Sequence, residues 1–214
     1  MYCFPVTIGG GGVDRGEIDF TGTTSNKELF DNNNATLTIT NLTLDNNTST
    51  VNGVKPWASG SVVYGNNIKY NAPNRATSGL YVTDQECKIN NLEIVGGGSS
   101  LSFGLYVTAG IVSNVRFSGT FGSSSAVQIL DGQVHGLSTD VAIQIQCNGG
   151  VINGVFIDGT QNSILEINGP CVLSNVFSES TATNAIDVNV ASNFVISDFY
   201  LEAGGLDLSN NRGS

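Results

Sequence analysis

Charge is what this sequence has least of: charged residues are 12% of 214, about half the usual share in a globular domain. Lysine and arginine number 8 against 18 aspartates and glutamates, for a formal net charge of −10. That balance leaves no basic surface for a phosphate backbone or an anionic bilayer, so no nucleic-acid partner and no membrane insertion are expected. No run approaches the roughly 18 apolar residues of a membrane span. The opening MYCFPVTIGGGG lacks the basic and apolar regions of a secretion signal, so export is expected by another route such as lysis. Four cysteines, Cys3, Cys87, Cys147 and Cys171, have no metal-ligand spacing, and neither a metal nor a cofactor is expected. Cys87 and Cys171 hold the same repeat position four coils apart, about 19 Å at about 4.8 Å per coil. That is outside disulfide reach, so buried free thiols are expected.

Glycine, asparagine and aliphatic residues are plentiful, as in a folded chain with many turns and an uncharged polar surface. Residues 1–34 do not repeat and read as a cap or attachment segment. Ser25 and Glu28 have capping-box spacing ahead of Leu29 and Phe30, which predicts one short helix that plugs the end of the fold.

Residues 35–214 repeat one phrase, an alternating stretch interrupted by a single turn residue. The series is Asn41, Asn67, Asn91, Asn114, Gly136, Gly154, Asn175 and Asp198, a step of about 22 residues, within the range of solenoid repeats. The apolar spacing is two rather than 3.6, which excludes an α-solenoid. Asn, Gly and Asp are the residues that most readily take left-handed backbone angles. One such residue between two alternating strands turns the chain and switches which side chains point inward, and stacked asparagine amides can bond from coil to coil. A second inward column is expected at Leu80, Leu105, Val127, Ile143, Leu165, Ile186 and Leu206. Large loops at 46–60, which holds Trp57, and at 96–102 are expected to project.

The pattern resembles the right-handed, single-stranded parallel β-helix of the pectin-lyase-like superfamily, which includes phage tailspikes and related virion appendages. The resemblance covers about residues 35 to 208, rests on the coil period and the Asn/Gly corner, and implies an all-β solenoid of about eight coils.

Alternation then assigns the outer surface. One outward stripe is Tyr81, Tyr106, Gln128, Gln144, Glu166, Asp187 and Asp207, whose aromatic and amide members Tyr81, Tyr106, Gln128 and Gln144 suit glycan contact. Carboxylates on successive coils stand about 5 Å apart, within the range of glycosidase pairs, which makes Glu166, Asp187 and Asp207 catalytic candidates. A solvated acidic edge or a subunit contact is the simpler account of them. Two residues past each corner runs Thr43, Lys69, Glu93, Arg116, Ser138, Phe156, Phe177 and Tyr200. Its three consecutive aromatics are expected to form a subunit interface, because monomers rarely leave such a patch bare.

Enzymes of the resembled superfamily use an Asp-Asp pair with Gly-His-Gly and Arg-x-Lys, or calcium-binding aspartates with a basic residue. This sequence has none of the first set, and His135 lies in Val-His-Gly, where an outward strand position is expected. The expected role is therefore a structural or receptor-binding virion component (tailspike, fibre or capsid-decoration protein). The resemblance implies a homotrimer whose partners are itself and other virion proteins. The alternative is a small module that binds or cleaves host-surface polysaccharide.

Overall fold

Alternation puts successive side chains on opposite faces of a strand, so a phrase such as TLTITNLTLD buries every second residue when one face meets a core. The protein is described here from a computed structural model for residues 6–9, 15–30, 36–99, 101, 103–121, 126–158, 163–182, 185–189, 193–202 and 205–207. In strand Thr36–Asp45, Leu37 and Ile39 are buried before Asn41, and Leu42 and Leu44 after it. Odd numbers point inward before the corner and even numbers after, so Asn41 switches the parity. It does so with φ at +52°, a conformation that costs most other L-residues about 1–2 kcal/mol.

The same device recurs in eight long strands, here rungs one to eight: Thr36–Asp45, Val62–Asn71, Lys88–Gly97, Ile111–Thr120, Gln133–Thr139, Gly150–Ile157, Cys171–Ser178 and Val195–Leu201. Each pairs in parallel with the next. Asn41, Asn67, Asn91, Asn114, Gly136, Gly154, Asn175 and Asp198 all have φ between +52° and +77°. Every corner expected from the sequence is therefore a left-handed residue.

After rungs two to eight come seven short strands: Leu80–Val82, Leu105–Val107, Val127–Ile129, Gln144–Cys147, Ile164–Ile167, Ile186–Val188 and Leu206–Asp207. They form a second parallel sheet facing the first. Between the two runs one continuous aliphatic core, with Ile89, Val112, Val134, Ile152 and Leu173 stacked from the long sheet and Leu80, Leu105, Val127, Ile145 and Leu165 from the short one. Each such side chain contributes roughly 1.5–3 kcal/mol on burial. The molecule is thus an all-β, right-handed parallel β-solenoid of about seven turns.

Four expectations need correction. No helix occurs among the described residues: Ser25 lies in a bend, and Glu28–Phe30 is a strand paired with Lys55–Trp57. Local capping chemistry lost to the sheet because β-pairing satisfies the backbone of 28–30 and lets Leu29 and Phe30 pack against the core. Segments Val6–Gly9 and Gly16–Asp19 also pair with rung one, so the N-terminal region adds a rung interrupted in its middle. Trp57 does not project: it is 1% exposed, and its indole donates to the Tyr81 carbonyl at 2.7 Å. Ile145, not Ile143, continues the inward column between Val127 and Leu165. Finally, Cys147 and Cys171 form a disulfide with Cα atoms 6.2 Å apart. Cys147 ends a short strand and Cys171 opens the long strand of the following coil, so they meet at one corner of the solenoid. Comparing Cys87 with Cys171 along one column could not reveal that meeting. Cys87 is free and buried, and burial pushes its thiol pKa up.

Candidate functional site

The corners build an amide ladder along the edge of the long sheet. Asn67 donates to Asn41 at 2.9 Å, Asn114 to Asn90 at 2.8 Å and Asn91 at 3.3 Å, and Asn175 to Asn153 at 2.7 Å. Arg15 extends this edge, donating to Asn67 at 3.1 Å and to Glu93 at 2.7 Å, while Lys69 stands 3.4 Å from the same carboxylate. Burial alone would raise the Glu93 pKa, but the Arg15 hydrogen bond and the two positive charges outweigh it and hold it below the ordinary value.

The column two residues past the corners aligns as expected, with Ser138, Phe156, Phe177 and Tyr200 in successive register. The three rings form a stack: Phe156 and Phe177 lie 5.1 Å apart and Phe177 and Tyr200 5.2 Å, each pair 12° from parallel. Their faces are turned along the solenoid axis, so they cover one another and present edges outward. Phe156 is still 45% exposed and Tyr200 56%. On the other side of the corners Val151, Val172 and Val195 share a column, and the last two are exposed. The apolar surface therefore occupies the outer face of rungs six to eight. Beside it, two residues beyond the aromatics, come Asp140, Asp158, Glu179 and Glu202 on rungs five to eight. This carboxylate column stands at a fixed offset of four from the corners of rungs five to eight, a regularity of the sequence that the outward column nearest the corners does not include.

Before the corners of rungs one to four, in line with the valine column, lies a shallow groove of about 450 Å³ lined by Thr38, Tyr64, Gly65, Lys88, Asn90 and Ile111. A smaller depression of about 230 Å³ lies between Arg116, Ser138, Asp140, Phe156 and Asp158. There Arg116 bridges to Asp140 at 3.1 Å. At the N-terminal edge Glu17, Asp19 and Asp45 place carboxylate oxygens within 4.8 Å of one another, another cluster the repeat analysis missed because Glu17 and Asp19 precede the repeat. Hydrogen bonding and repulsion from Asp19 raise the Glu17 pKa. His135 lies half-exposed on rung five, its ring 3.3 Å from Gln133 and its backbone in register with Ser113 and Asn153.

The stripe on the short sheet is Tyr81, Tyr106, Gln128, Gln146, Glu166, Asp187 and Asp207. Gln144 is displaced from the line by Gln146, because QIQ offers two outward glutamines and the packing of Ile145 between Val127 and Leu165 selects the second. Gln128 donates to Gln146 at 3.3 Å, Gln146 to Glu166 at 3.0 Å, and Gln144 also donates to Glu166. Tyr81 and Tyr106 lie 5.2 Å apart, and the Lys55 ammonium sits 4.3 Å above the Tyr81 ring. Burial, with Tyr106 nearby, raises the Tyr81 pKa. These groups bind one another, so a sugar hydroxyl would have to displace an existing partner. Asp187 stands in register with Glu166 on the next coil, and Asp207 follows in backbone register.

No family model matches this chain, and no curated protein or solved structure matches it either.

Proposed function

We propose that this chain is a structural or receptor-binding solenoid that acts as an oligomer, of the kind used in virion appendages such as tailspikes, fibres and capsid-decoration proteins. The observation that carries the reading is the exposed stack of Phe156, Phe177 and Tyr200 beside Val172 and Val195. A soluble monomer rarely keeps such a contiguous apolar patch in water, and covering it stabilises an assembly. A parallel β-solenoid also suits a particle exterior: its rungs are joined by dense backbone hydrogen bonding and its outer surface is nearly free of chemical constraint. The virion setting follows by analogy with the pectin-lyase-like β-helix that the repeat resembles, and with it come self and other virion proteins as partners and the particle surface as location.

Size-exclusion chromatography with light scattering tests the reading. The expected result is an oligomer at tens of micromolar that Phe177→Ser converts to monomer while the β-sheet circular dichroism is retained. A monomeric wild type would overturn it. The alternative, a glycan-binding or glycan-cleaving module, is favoured by the Tyr81 and Tyr106 rings at the head of the short-sheet stripe. Its test is release of product from bacterial surface polysaccharides by wild type and not by Glu166→Gln or Asp187→Asn.

A further inference from the structure

Positive charge ends abruptly along this chain. Between residues 117 and 211 there is no lysine or arginine, while Asp131, Asp140, Asp158, Glu166, Glu179, Asp187, Asp198, Glu202 and Asp207 all fall there. The cations of the long-sheet face, Arg15, Lys69, Lys88 and Arg116, belong to its N-terminal half, where Arg15 and Lys69 share Glu93 and Arg116 reaches Asp140 on rung five. Apolar surface divides in the same way. Rungs six to eight carry the protruding aromatics and valines, and rungs one to four carry the groove with Tyr64 and Ile111. One face therefore holds two halves that complement each other and repel their own kind.

We propose that the occupant of this face is a second copy of the chain, packed face to face with its solenoid axis reversed, about a two-fold axis through rung five. The proposal rests on the reading that the aromatic face is an oligomer contact, and it fixes the arrangement. The two-fold axis lies along the strand direction, so each column meets itself with the rung order inverted: rung eight over rung two, seven over three, six over four. In the aromatic column the outward ring edges of Tyr200, Phe177 and Phe156 then meet Lys69, Glu93 and Arg116 of the second copy, so that the Glu93 carboxylate faces the positive rim of Phe177 and the alkyl stems of the two cations pack against the outer rings. In the valine column Val195 meets Tyr64, Val172 meets the alkyl stem of Lys88, and Val151 meets Ile111. The column just before the corners sets Ser197 against Asn66, Ser174 against Asn90 and Asn153 against Ser113, so hydroxyls and amides face one another.

At the centre Gln133 and Ser138 meet their own copies. Asp140 does too, and Arg116 at 3.1 Å already neutralises it. The acidic trio at Glu17, Asp19 and Asp45 falls beyond the second copy's rung eight, outside the overlap. Parallel packing, whether paired or three-fold, sets equal heights side by side and so brings the cation-free acidic halves together.

Engineered thiols in a Cys3→Ser background distinguish the arrangements, with that oxidised background as blank, because of the remaining cysteines Cys87 is buried and Cys147 is bonded to Cys171. Lys69→Cys mixed with Tyr200→Cys is expected to give a covalent dimer, and Ser138→Cys one by itself, whereas Tyr200→Cys alone stays at the blank level. Arg116→Glu is expected to weaken association at least about tenfold, as reversal of a close interface charge does. Homotypic cross-linking of Tyr200→Cys with no Lys69→Cys/Tyr200→Cys heterodimer in the mixture would establish parallel copies, overturning the antiparallel pairing while the oligomer reading stands. An oligomer that Phe177→Ser leaves intact would place the contact on another face and overturn both readings, as would a monomeric wild type.

Discussion

Asn114 shows how much one residue does here: its φ of +53° turns the chain, and its amide joins rung four to Asn90 and Asn91 of rung three. Asn114→Gly keeps the turn and removes the bonds, with an expected loss of about 1 kcal/mol. Asn114→Ala adds left-handed strain, for a loss of about 2 kcal/mol or more. Urea unfolding of the two variants should return that order; equal losses would mean that the turn carries no strain. Glu93 supplies the pH-dependent counterpart. Its folded pKa lies below the ordinary 4.5 because of Arg15 and Lys69, so the stability it contributes is present above the unfolded value and lost as pH falls through the folded one. With side chains a quarter to a third exposed, Glu93→Gln should cost about 1 kcal/mol at pH 7. The difference from wild type should shrink below pH 4.5 and vanish once the pH falls below the lowered folded value, as measured by denaturation across pH. The corners were legible from sequence because the left-handed region is a preference of single residues. The Arg15 bridge was not, since Arg15 and Glu93 meet across 78 positions through a strand outside the repeat.

At the level of elements, legibility followed how many registers a phrase allows. Long strands permit one, since the corner breaks the alternation and a slip would bury polar residues. VAIQIQC permits two: moving it by a pair of residues keeps Ile143, Ile145 and Cys147 inward and only changes their vertical neighbours. Packing against Val127 and Leu165 selects Ile145, and with it Gln146 for the stripe. The end of that strand also decides the disulfide, because the selected register carries Cys147 to the corner where Cys171 begins the long strand of the following coil. The bridge closes a segment with a sequence separation of 24, for which restriction of the unfolded chain predicts about 3 kcal/mol. Paired Cys147→Ser and Cys171→Ser changes should therefore lower the unfolding free energy by about that amount while leaving the β-sheet spectrum unchanged. Loss of folded structure in the double variant would mean that the two coils depend on the bridge to pack at all.

For the whole molecule, stability is distributed along one axis, because each rung rests only on the rungs above and below it. Interior rungs have both neighbours and a sealed core: Ile89, Val112, Val134 and Ile152 are each at most 2% exposed. Rung eight is different. Phe199 occupies the inward column of Val155 and Val176, yet it is 46% exposed, and Val195 and Tyr200 are more than half exposed. No long strand follows it among the described residues. Native-state hydrogen exchange should consequently rank the amides by rung, with Val195–Leu201 opening first, Cys171–Ser178 next and rungs three to five only on global unfolding. Self-association adds a signature that a lone solenoid cannot produce. If rung eight is covered by rung two of another copy, raising the protein concentration slows exchange in both of these distant strands together. Slowing confined to rung eight would instead mean that like ends meet, which the run of acids without a single lysine or arginine opposes.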